Sequence, residues 1–128
     1  MRKIRTAMIF LIIILLIGGC FAQFFYIRSV TNKILPLTDQ LCSNVLLQRW
    51  DTADNALHQI HLLWQKHRPL LYSIVKHDCI NDISAELAAF TADLASENYA
   101  QLPAEAARLR EQIKDLARTE QLRFSNIL

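Results

Sequence analysis

The chain has 128 residues, 52% hydrophobic and 20% charged, with a net charge of +2 and a pI near 8.5. That surplus sits in Arg2, Lys3 and Arg5, and beyond residue 27 the acidic and basic residues nearly cancel, which excludes a nucleic-acid partner recognised by charge. Both glycines precede residue 20, so residues 28–128 hold none, and a β or α/β domain of that length would need glycine at its turns; the expectation is all-α.

The first predicted element is an apolar run from Ala7 to Ile27, in which Gln23 is the only strongly polar residue. At about 1.5 Å per residue such a helix spans roughly 30 Å, the hydrocarbon thickness of a bilayer. Its Ile, Leu and Phe side chains each favour insertion by about 0.3–0.6 kcal/mol. Residues 1–27 therefore read as a cytoplasmic tip and a single transmembrane anchor, and the bilayer is the first expected partner. Three basic residues precede the run, against Arg28 and Lys33 after it. The positive-inside rule then places the N-terminus in the cytoplasm and residues 28–128 outside. Ile17-Gly18-Gly19-Cys20 also fits a lipoprotein processing box, with Cys20 lipidated after cleavage, although Phe21 to Ile27 stays apolar where such a mature end turns polar. Gly18 and Ala22, four residues apart, form a small-xxx-small pair through which a second membrane helix can approach.

Beyond the anchor, apolar residues recur at helical spacing. Val30, Ile34, Leu37, Leu41 and Val45 predict a helix that continues the membrane span. Asp51-Thr52 offers an N-cap for a second, with Ala53, Leu57, Ile60 and Trp64 inward. Pro69 interrupts or kinks the pattern before Leu70 to Val75 resume it, so residues 65–80 are left open between helix and loop. Asn81 or Asp82 is expected to cap a third helix, carrying Ile83, Leu87, Phe90 and Leu94. Pro103 suits the first turn of a fourth, with Leu102, Ala106, Leu109, Ile113 and Leu116 along its stripe. On its outer face Glu105/Arg108, Glu111/Lys114 and Asp115/Arg118 pair three residues apart and read as solvated.

A shift of 49 residues lays Ile34 on Ile83, Leu41 on Phe90, Val45 on Leu94 and Trp50 on Tyr99. Residues 28–128 thus read as a small bundle of about four helices in two αα-hairpins of helical-repeat type. First and third helices then run parallel, and Cys42 lies about 18 Å along the axis from Cys79. A disulfide needs Cα atoms within about 7 Å, so no bridge is expected.

Three constellations invite chemistry. Asp54, His58 and His61 share one flank of the second helix, with residue types that bind Zn²⁺, but lack a supporting ligand. His77-Asp78-Cys79 holds the residue types of a thiol nucleophile, yet neighbouring side chains point apart, so no catalytic residue is assigned. Trp64 lies on the inner stripe and is expected in the core, whereas Trp50 and Tyr99, at hairpin corners, are candidates for contact with another protein. No cofactor is implied.

The chain resembles a family of small bacterial membrane proteins known as domain of unknown function 4363. The matching residues are Trp50-Asp51-Thr52-Ala53, Trp64, His77 with Ile80 and Ile83, and Glu120 leading to Asn126-Ile127-Leu128. The final Leu departs from the family's usual Phe, and Cys20, Cys42 and Cys79 lie outside its pattern. The resemblance implies an N-terminal anchor and an extracytoplasmic helical domain on a bacterial cell membrane, with no assigned activity. It also implies that His77 and the tail belong to the fold, with Phe124, Ile127 and Leu128 packing back onto the bundle. The expected function is a non-enzymatic interaction or auxiliary module on the outer face of the membrane, contacting another membrane or extracytoplasmic protein. The alternatives are a metal or small-ligand binder and the Cys20 lipoprotein.

Overall fold

A computed structural model describes the backbone of residues 1–127 and the side chains of residues 1–119. Four helices follow in order: α1 (Arg2–Leu46), α2 (Trp50–Ile74), α3 (His77–Ala95) and, after a 3-10 turn at Tyr99–Gln101, α4 (Leu102–Ile127). No strand occurs among the described residues. The all-α expectation holds.

α1 has 45 residues and so runs roughly 67 Å. It is long and apolar enough to cross a membrane: an 18-residue window reaches a mean hydropathy of 2.6 with nothing buried. The side chains from Arg2 to Cys20 are exposed, Phe21 stacks on Phe25, and burial begins at Ile27, only 1% exposed. Tyr26 and Ile27, read from sequence as the end of the anchor, pack in the bundle.

The bundle is an up-down-up-down square. Three residues join α1 to α2 and two join α2 to α3, which forces neighbouring helices antiparallel. α1 packs against α2 and α4, and α3 completes the other two sides; no Cα of α1 comes within 8 Å of α3. Cys42 and Cys79 therefore sit on a diagonal, and no disulfide joins them.

The inner face follows the predicted stripes. Val30, Ile34, Leu41 and Val45 of α1 meet Ala53, Leu57, Ile60 and Trp64 of α2, Ile83, Leu87 and Phe90 of α3, and Leu102, Ala106, Leu109, Ile113 and Leu116 of α4. Each large side chain here stabilises the fold by about 1.5–3 kcal/mol. Leu37 and Leu94 are only half-buried. Thr31 and Thr38 are buried instead, and each satisfies its hydroxyl by donating to the carbonyl three residues back, Arg28 and Leu35.

Two predicted caps fail. α2 starts at Trp50 after Arg49, and Thr52 turns its hydroxyl back to the Arg49 carbonyl. α3 starts at His77 after Lys76, four residues ahead of Asn81. Neither helix has a side-chain cap, because the residues in the cap position, Arg49 and Lys76, carry no side-chain oxygen to accept from the first-turn N–H groups. α2 also runs through Pro69, a residue exposed on its outer side, so residues 65–74 are helix. The tail side chains Phe124, Ile127 and Leu128 lie outside the described residues.

Candidate functional site

The end of the bundle farthest from the apolar arm is built by the α1–α2 and α3–α4 corners. In the first, Gln48 donates to the Val45 carbonyl and Arg49 to the Asn44 carbonyl; in the second, Glu97 donates to Leu94 and Asn98 to Asp93. These are Schellman caps, repeated 49 residues apart. Each needs a left-handed residue, and with no glycine available Gln48 (φ 57°) and Glu97 (φ 58°) take that conformation. The faint repeat in the sequence is thus a repeat of backbone hydrogen bonds.

One residue beyond each cap stand Trp50 and Tyr99, themselves 49 apart. Their rings stack on each other, with centroids 4.1 Å apart and planes within 8°. Both are half-buried against the core. Each aromatic face turned to its partner is unavailable to a ligand. The exposed apolar surface comes from two residues not singled out in the sequence, Leu46 (72% exposed) and Leu47 (61%). Leu46, with Val45, Gln48, Trp50, Tyr99 and Pro103, borders a shallow groove of about 350 Å³, and Leu47 follows it at the same corner. The available signal was that these two leucines follow Val45 directly and fall off its helical stripe.

Beside this tip, Glu105 is 4% exposed, on the inner face rather than the solvated outer one. Burial, its hydrogen bond with Asp93, and the nearby charges of Asp93 and Glu86 push its carboxyl up from 4.5 to about 7, against the opposing pull of Arg108. Arg108 instead ion-pairs Glu86 at 3.2 Å. The Glu111/Lys114 and Asp115/Arg118 pairs do lie on the surface, at 3.8 and 3.6 Å.

The other tempting groups are not assembled. Asp54 and His58 are exposed, and His61 turns Nε2 to the Gln65 amide nitrogen at 3.0 Å. Among the described residues no three His, Cys, Asp or Glu side chains gather as metal ligands. His77 stacks on Tyr72 at 4.0 Å, so its ring braces the α2–α3 corner. Burial raises the Cys42 thiol further from its reactive form. Gly18 meets nothing within 4 Å of a Cβ, so the Gly18/Ala22 face is open along the arm.

At the opposite end Tyr26 Oη lies 2.7 Å from His67 Nδ1, tying α1 to α2. Burial, then the charges of Lys33 and Lys66, hold His67 below its usual 6.5. Trp64 donates to Ser84 Oγ at 2.9 Å and ties α2 to α3.

Searches of curated proteins and of solved structures return no significant match. A family model does match, over residues 21–127, which takes in the whole bundle and leaves the apolar arm outside. The two Schellman corners, the stacked Trp50 and Tyr99 and the square of helices are therefore what that stretch encodes, and the chain belongs to the family described as Domain of unknown function (DUF4363).

Proposed function

We propose that this chain is a single-pass, membrane-anchored interaction module of a bacterial cell membrane, with its N-terminus in the cytoplasm, its bundle outside and no enzymatic activity of its own. The observation that carries this reading is the polarity of the molecule. A wholly exposed apolar arm leaves one end, and the exposed Leu46 and Leu47 stand at the other beside the Trp50–Tyr99 stack. Apolar surface held at the far end from the anchor is where another protein is met. A photo-crosslinker at Leu47 in full-length protein, in membranes of the native host, tests it. One partner captured at Leu47, not at the exposed mid-bundle Gln59, and lost in Leu46→Glu supports the reading. Equal labelling at both positions overturns it.

One observation favours the lipoprotein variant of the same reading. Cys20 is exposed and immediately precedes the matched residues, so a lipid there would anchor the same bundle. The intact mass of the mature chain decides between the two anchors. A second protein in the membrane, contacting Gly18 and Ala22, fits the uncleaved form only.

A further inference from the structure

The Tyr26–His67 hydrogen bond sets α1 and α2 level at that point. α2 then continues seven residues, from His67 to Ile74, antiparallel to α1. At about 1.5 Å per residue the α2–α3 corner reaches roughly 10 Å further toward the apolar arm. Leu70 and Tyr72 thereby come level with about Gln23 and Phe21. The family match begins at the same place, Phe21. α1 is one uninterrupted helix through this level, so the corner cannot stand clear of a bilayer that α1 crosses.

The side chains at that level suit a membrane–water interface. Leu70 is 51% exposed and Tyr72 38%, the Tyr72 ring stacking on His77 of α3 and keeping the rest of its surface open. Lys66, Arg68 and Lys76 are exposed around them, with Arg28 and Lys33 on the adjoining turns of α1. Among the described residues Asp78 and Asp82 are the acidic residues of the α2–α3 corner, and Asp115 on the neighbouring α4 is paired with Arg118. Basic charge therefore prevails at the corner, whereas the distal end gathers Asp51, Asp54, Asp93 and Glu97 against Arg49. Basic residues near an anionic leaflet attract it, and Tyr and Leu settle at the headgroup boundary.

We propose that the α2–α3 corner is a foot that rests in the anionic headgroup layer of the bilayer crossed by α1, with Leu70 and Tyr72 inserted and Lys66, Arg68 and Lys76 at the phosphates. The foot holds the bundle upright and sets the height of the distal tip. This inference rests on α1 spanning the membrane, and its test separates the two.

The full chain is reconstituted in vesicles of phosphatidylcholine with one quarter phosphatidylglycerol, carrying bromine at shallow or deep acyl positions. Bromine quenches only tryptophan within reach, and Trp50 and Trp64 of the native chain stand in the distal corner and the core. Leu70→Trp is expected to be quenched at least twofold more than the native chain, best by shallow bromines. Leu15→Trp, in the arm, is expected to be quenched by deep bromines. Removing charge with Lys66→Gln, Arg68→Gln and Lys76→Gln together is expected to lower the Leu70→Trp quenching to its level in pure phosphatidylcholine, each basic residue being worth about fivefold in affinity. Quenching at residue 15 without quenching at residue 70 overturns the foot and keeps the anchor, whether water or another protein covers the corner. No quenching at residue 15 overturns both. Leu70 is exposed, so its replacement leaves the fold intact, and the helical circular dichroism of each variant checks this.

Discussion

Glu105 shows how one buried carboxyl ties stability to pH. Its folded value near 7 lies above the ordinary 4.5, so between those values the folded chain holds a proton that the unfolded chain has released. Stability is then full below about pH 4.5 and declines as pH rises toward 7, by on the order of 3 kcal/mol. Glu105→Gln keeps the shape and a donor toward Asp93 without the ionisation. The variant is expected to melt higher than the native chain at pH 8 and equally at pH 4.5, by thermal denaturation across that range. Equal melting curves at pH 8 would show that Glu105 reaches solvent. Its burial was legible at the spacing level, since it stands three residues after Leu102 and four before Leu109. The Glu105/Arg108 pair masked this, because spacing of opposite charges reads the same on an inner edge as on a surface.

Among the elements, helix identity was legible and helix ends were not. Ala53, Leu57, Ile60 and Trp64 fix a face by their spacing alone, as do Leu102, Ala106, Leu109, Ile113 and Leu116. The starts at Trp50 and His77 have no capping side chain to betray them. The corners are set by Gln48 and Glu97, residue types that do not advertise a left-handed conformation. Gln48→Gly and Glu97→Gly should each relieve that strain and stabilise the fold by about 0.5–1 kcal/mol, read from urea unfolding. Because the two corners share one hydrogen-bond pattern, the gains are expected to be similar and additive. The exposed leucines at the tip escaped notice for a related reason. Periodicity finds what lies on a stripe, and Leu46 and Leu47 lie at a corner where the stripe has ended. Phe90→Ala, by contrast, opens the centre of the core and should cost about 3–5 kcal/mol in the same assay.

At the scale of the whole molecule, the square arrangement decides what depends on what. No Cα of α1 lies within 8 Å of α3, so Cys42 and Cys79 are expected to stay unlinked when the folded chain is treated with a mild oxidant, as gel mobility with and without reductant will show. The same square makes the two hairpins interdependent. α1 packs as extensively against α4 of the other hairpin as against its own partner α2. Alone, the hairpin of residues 21–75 would leave Val30, Ile34, Leu41 and Ile60 facing water on the side that the second hairpin covers. Two helices with one shared face also bury too little surface to offset their conformational entropy. Each hairpin expressed alone, 21–75 or 76–128, is therefore expected to show weak helical circular dichroism and no cooperative melting. Mixed at equal concentration, the two should regain helix and a melting transition that rises with concentration, because the core re-forms across the hairpins. A first hairpin that melts cooperatively alone would mean that α1 and α2 carry a core of their own. The second hairpin would then be an addition to a stable unit rather than half of one.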